Sequence, residues 1–283
     1  MFTLKVENFK NEILNLSSDK RYSIIKVEGL NPPSATINTA SITTSDGAFF
    51  NSSRIESRNL VLTIVLRKDI ETSRINLYRF FRPKIKCKIY YKNGTRDVYI
   101  EGYVDKFEDD FFTQTQEVQI SLMCYQPFFK AVHDLVVDLS VVLKEFEFPF
   151  DIENLGQEFS TIKRTYECVL KNEGEVDNGL IIELRATGSV ENPVIYNADT
   201  REFIGLNYTV LEGDLITINT NVGEKSVTLL RNGIKSNIIN YIKKDSTWLK
   251  AYSGDNVYTY ICDNNTEDLL SIKFIHTHQY LGV

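Results

Sequence analysis

The chain has 283 residues, 42% of them hydrophobic, which is enough for two packed domains of ordinary size. Residues 1–134 carry 19 basic and 16 acidic side chains (+3), and residues 135–283 carry 13 and 22 (−9), so neither half is charged for nucleic acid as its main ligand. No run of about twenty apolar residues occurs, so the chain is not expected to span a membrane.

Residues 22–42 hold two short strands on either side of Gly29-Leu30-Asn31-Pro32-Pro33, where the prolines bar pairing. Ser45 to Ser52 reads as a loop with an apolar tip. Phe49 and Phe50 either tuck into the core or meet another subunit, because paired exposed aromatics are costly without a partner. Together with Arg58 they form the candidate subunit contact. Leu60 to Leu66 is the strongest strand of this half, with Leu60, Leu62, Ile64 and Leu66 on one face and Val61, Thr63 and Val65 on the other, both expected to be buried. Asp69 is placed to cap a helix with its carboxylate; Ile75, Leu77, Tyr78, Arg79, Phe80 and Phe81 follow with helical spacing, and Pro83 stops it.

Lys84 to Val104 predicts a hairpin about Asn93-Gly94 that pairs Ile89 with Val98, Cys87 with Ile100 and Lys86 with Glu101. Alternating Lys84, Lys86 and Lys88 form the wet face of a strand and discourage edge pairing. Thr113 to Cys124 is a further strand with Val118, Ile120, Leu122 and Cys124 inward.

The first domain is expected to end at Gln126-Pro127-Phe128-Phe129, giving domains 1–130 and 131–283, with 131–160 as a linker or crossing segment. Leu135-Val136-Val137 and Val141-Val142-Leu143 fit a crossing strand, Pro149 holds Phe146 to Phe150 extended, and 151–160 is loop. From Tyr166 strands resume, through Leu180 to Leu184 and then Asn192 to Gly233, where β-branched runs alternate with Gly, Asn and Asp. That rhythm predicts an antiparallel sandwich or barrel, with tight turns at Gly213-Asp214 and Asn232-Gly233. Thr247 to Tyr252, Val257 to Cys262 and Leu269 to His276 complete the strands.

No catalytic set is legible. His276 and His278 could hold zinc, but no Cys or acid stands at ligand spacing, and the simpler reading is a surface strand end. Asp263 to Asp268 is oxygen-rich but lacks the turn glycine of a calcium loop. The wide spacing of Cys87, Cys124, Cys168 and Cys262 predicts free thiols made in a reducing cytoplasm, and Met1 to Glu7 lacks the apolar core of an export signal. No enzyme activity, metal or cofactor is expected. A binding module is the alternative: Trp248, Tyr252 and Tyr258 could offer a sugar platform, or Trp248 could simply pack in the core.

The order and spacing of several marks resemble the distal tail (Dit) proteins of siphophages. In the first half these are Asp46-Gly47, Arg58 before its strand, Tyr78-Arg79-Phe80-Phe81 and Tyr125 to Phe129. In the second they are Phe148-Pro149-Phe150, Asn172-Glu173-Gly174-Glu175, Asn192-Pro193-Val194-Ile195, Phe203 to Leu206, Glu212-Gly213-Asp214 with Thr217 to Thr220, and Gly254-Asp255-Asn256. The family commonly has Asp where Asn219 stands. The resemblance implies a mainly β chain: an N-terminal β-sandwich or barrel-like domain with one helix, then a galectin-like or carbohydrate-module-like β-sandwich. It implies a hexameric ring at the virion tail tip, made in the host cytoplasm. The implied partners are the tail tube, the tail-associated tip protein and receptor-binding or other baseplate proteins, with tape measure and DNA passing through the channel.

Overall fold

The computed structural model describes residues 2–41, 46–111, 113–143, 161–164 and 166–283. The expectations for Phe146 to Phe150 and for 151–160 lie outside the described residues. The fold is mainly β, with a single α-helix among the described residues. The chain divides into unit 1, Met1–Val132 with Gln279–Val283, and unit 2, His133–His278. The last five residues, expected in the second domain of 131–283, belong to unit 1, because Tyr280 and Val283 pack against its core. No described helix is long and apolar enough to cross a membrane.

Unit 1 is built on one antiparallel sheet, ordered Ile13–Asn15, Thr3–Glu7, Lys86–Lys92, Asp97–Asp109, Glu117–Cys124, Arg58–Leu66, Tyr22–Glu28. Short Phe129–Ala131 pairs both with Asp97–Asp109 and with Gln279–Tyr280. Arg58–Leu66 lies inside the sheet, and its leucines and Ile64 are sealed in the core while Val61 and Val65 are buried on the other face. Helix Ile70–Phe80 lays Leu77 and Phe80 onto this core, joined by Phe81 just past its end. Asp69 does sit at the helix N-cap, but in a left-handed conformation (φ 47°) with no side-chain cap bond. Ser73 ties that end down instead, its hydroxyl donating to the Lys68 carbonyl at 2.7 Å.

The hairpin after Lys86–Lys92 has a register two residues away from the expected one. Ile89 faces Ile100, Cys87 faces Gly102 and Lys88 faces Glu101. The Asn93 side-chain oxygen accepts from the amides of Thr95 and Arg96, which builds a four-residue loop in place of a two-residue turn. A shift of two preserves which face each residue takes, so the buried set is unchanged. The lysines do not guard an edge: Lys86–Lys92 is flanked on both sides, and Lys86 pairs with Glu101 at 2.8 Å.

Unit 2 is a β-sandwich. One sheet runs Leu135–Asp138, Leu270–His276, Ile181–Ala186, Leu215–Asn219, Ser226–Arg231, Ile234–Asn237. The other runs Glu167–Asn172, Gly254–Asp263, Val190–Asn197, Phe203–Gly205, with Thr209–Val210 also on Val190–Asn197. Both supply one core, including Ile182, Leu184, Ile216, Ile218 and Phe274 from the first sheet and Leu170, Val190, Ile195, Ile204 and Tyr260 from the second. Asn232 and Gly233, both at positive φ (52° and 78°), make the two-residue turn that the sequence predicts.

Candidate assembly surface

Ala35–Ala40 and Phe49–Ile55 pair only with each other. The stretch read as a loop is therefore partly strand. Every residue of Phe49–Ile55 is exposed, as are all of Ala35–Ala40 except half-buried Thr36. Phe49 and Phe50 are 58% and 65% exposed, which removes the core reading for this pair. The register and its bulge put Ile37, Phe50 and Ile55 on one face, while Thr36, Asn38, Ser52 and Arg54 share the other with Phe49. A two-stranded ribbon with no core of its own is marginal in water. This one also leaves an apolar stripe open to water, which is costly without a partner.

Arg58 is not at that surface. It is 4% exposed and sits over the Phe129 ring at 4.6 Å. Its guanidinium donates to the carbonyls of Pro127 at 2.7 Å, Asn31 at 2.9 Å and Leu281 at 2.6 Å, and to that of Gly29. Four carbonyl dipoles consume the donors that a subunit contact would need.

The sugar-platform residues are dispersed in role. Tyr258 is fully buried, stacked on Phe274 at 4.8 Å, and donates its hydroxyl to the Lys250 carbonyl at 2.8 Å. Trp248 packs half-buried against the same core under Lys225, and Tyr252 donates to Glu202 at 2.9 Å. Tyr258 therefore cannot present a face to a ring of sugar.

His276 is not a surface strand end: it is 1% exposed, with neither ring nitrogen hydrogen-bonded. Its ring lies 5.1 Å from that of His278, which meets the Asn172 side-chain oxygen at 3.2 Å. Among the described residues no three His, Cys, Asp or Glu converge on a metal position, and the acid-rich Asp263 to Asp268 forms a plain turn through left-handed Asn264 and Asn265. The four cysteines are free; burial pushes the thiols of Cys87 and Cys124 up to about 12, far from a reactive thiolate.

Two family descriptions match successive parts of the chain: residues 9–124 match "Phage tail protein RIFT-related domain", and residues 173–280 match "Siphovirus-type tail component, C-terminal domain". The crystal structure of the Dit protein of phage SPP1, titled a paradigm of the hub adsorption apparatus in phages infecting Gram-positive bacteria, overlays with a TM-score of 0.68 at 12% identity, covering 98% of this chain and 99% of that one. The chain belongs to the siphophage distal tail protein family. A chain of the phage P2 baseplate in its activated conformation also shares the fold, with a TM-score of 0.54, 9% identity and 98% of each chain covered. No curated protein sequence matches significantly.

Two of the marks that carried the resemblance to distal tail proteins brace turns, and a third sits at a bulge. Asp214, 1% exposed, takes a bidentate grip from Arg231 (2.7 and 2.5 Å) and accepts the Leu211 amide at 2.8 Å. The Arg231 guanidinium holds its carboxyl below the usual range. Buried Asn256 accepts from the Tyr252 amide and donates back to the Tyr252 carbonyl, locking the turn before Gly254–Asp263. Asn192-Pro193 sits in a bulge of its strand, where a proline removes no ladder bond that is needed. None of these polar groups was singled out from the sequence as a lock. Buried polar residues with local partners look like ordinary loop polarity until the burial is seen.

Proposed function

We propose that this chain is the ring-forming hub of a siphophage tail tip, assembling as a hexamer through unit 1. In this reading the ring joins the tail tube to the tail-associated tip protein and to receptor-binding or other baseplate proteins. Its channel passes the tape measure and then DNA, and the part it plays is structural rather than enzymatic. The observation that carries the reading is the exposed ribbon of Ala35–Ala40 and Phe49–Ile55 with its Ile37, Phe50 and Ile55 stripe. A second copy of the chain is its natural cover, because copies in a ring each present and each need such a surface.

Light scattering on the full chain is expected to give a mass near six chains. Phe49→Asp with Phe50→Asp is expected to reduce that mass toward one chain. Two buried, unpaired charges per contact weaken association by several kcal/mol, roughly a thousandfold or more in affinity. Far-UV circular dichroism should be unchanged, since neither side chain touches a core. A monomeric wild type, or a double variant that still assembles, overturns this reading.

A further inference from the structure

Residues 279–283 reach unit 1 only after the chain has traversed unit 2. They seat at the root of the ribbon. Gln279 and Tyr280 pair with Lys130 and Phe129, and the Val283 amide donates to the Leu30 carbonyl at 3.1 Å. Arg96 donates to the Gly282 carbonyl at 2.6 Å and lies over the Tyr280 ring at 4.3 Å. The Leu281 carbonyl accepts from Arg58, whose same guanidinium holds the Gly29 and Asn31 carbonyls.

Gly29 to Asn31 is the chain entering the ribbon, and Arg58 opens the strand that leaves it. Between them the Glu56 amide donates to the Ser34 carbonyl at 3.1 Å and closes the ribbon's base. The root is also sterically tight: Gly29 has φ +85°, and a Cβ on it would stand 2.3 Å from the Asn59 carbonyl oxygen. A ribbon without a core takes its direction from its root.

We propose that residues 279–283 are a latch that fixes the root, and so the direction, of the ribbon formed by Ala35–Ala40 and Phe49–Ile55. The ribbon is then held ready to dock only when the segment beyond unit 2 is seated. Arg58 is the positioning residue that joins the latch to the root, across 223 residues of sequence. The consequence for assembly rests on the ring reading; the latch itself does not.

Gly282→Val tests it without touching the ribbon or Arg58. A Cβ at Gly282 would stand 2.9 Å from the Leu30 carbonyl oxygen and 3.1 Å from the Pro32 ring, so the latch and the root cannot keep their present contact. Hydrogen exchange on the full chain is expected to quicken by about tenfold or more at Val283 and at Glu56, while Leu62 and Ile182 keep their protection. Arg96→Gln, a milder unseating, should produce the same order of effects. In light scattering both variants should lose mass relative to wild type. Unaltered exchange at Glu56 in both variants, or protection retained at Val283 in Gly282→Val, refutes the latch. So does protection lost throughout unit 1, which would make these residues part of the general core. If the wild type is itself a monomer the ring reading fails, and exchange at Glu56 still decides the latch.

Discussion

Arg58→Met is expected to destabilise unit 1 by about 3–5 kcal/mol, because it removes a charged donor group from four partly buried carbonyls and leaves them without that partner. For a domain of this size that lowers the Tm by roughly 10 °C or more. The methionine fills much of the arginine's stem volume, so the loss reads out hydrogen bonding and not a large cavity. Arg58→Lys keeps the charge but has three donors on a single nitrogen, which cannot span four carbonyls from three separate segments; it should fall between wild type and Met. Differential scanning calorimetry should show the unit 1 transition moving while that of unit 2 stays. A shift of less than about 2 °C for Arg58→Met would mean that water or main-chain relaxation satisfies those carbonyls without the guanidinium.

Arg58 also shows where sequence reading stops. An arginine before an apolar strand looks like a surface charge, and its partners, Gly29, Asn31, Pro127 and Leu281, are scattered along the chain. No local pattern encodes such a convergence. What was legible is what period and turn chemistry fix locally. The face of each residue from Leu60 to Leu66 and the core set of the Lys86–Lys92 hairpin followed from alternation. The hairpin register did not, because one side-chain oxygen on Asn93 decides between two turns that preserve the same alternation. Ala35–Ala40 falls in the second short strand expected in 22–42, but its partner Phe49–Ile55 reads as loop for the complementary reason. Exposed on both faces, Phe49–Ile55 has no buried partner to impose a period on its sequence. Unit 2 was easier to read, since its strands alternate cleanly against a shared core and its Asn232-Gly233 turn allows little else.

Acid is expected to weaken unit 2 specifically, through His276. Burial, reinforced by the neighbouring His278 ring, pushes its imidazole down from an ordinary 6.5 to about 4. The opposing pull of the Gly179 backbone, which faces the ring without reaching good hydrogen-bond geometry, and then of Asp134 is smaller. The other groups facing the pair are Glu173, which favours charge on His278, and Asp134, which already accepts the Thr277 hydroxyl at 2.5 Å. The sign follows from proton binding. Above pH 6.5 the folded and unfolded chains both keep this histidine neutral, and its contribution is fully present. As the pH falls from about 6.5 to about 4, the unfolded chain takes up a proton that the folded one refuses, and about 3 kcal/mol is lost. His276→Met should remove that loss while changing stability little at pH 7.5, since a ring without hydrogen bonds leaves no partner stranded. Urea unfolding of both chains at pH 7.5 and 4.5 isolates the effect, because the carboxylates titrate alike in the two. Wild type should lose roughly 2–3 kcal/mol more than the variant between these pH values. Equal losses would show that the ring finds water, or protonates in place, and that its burial imposes no such shift.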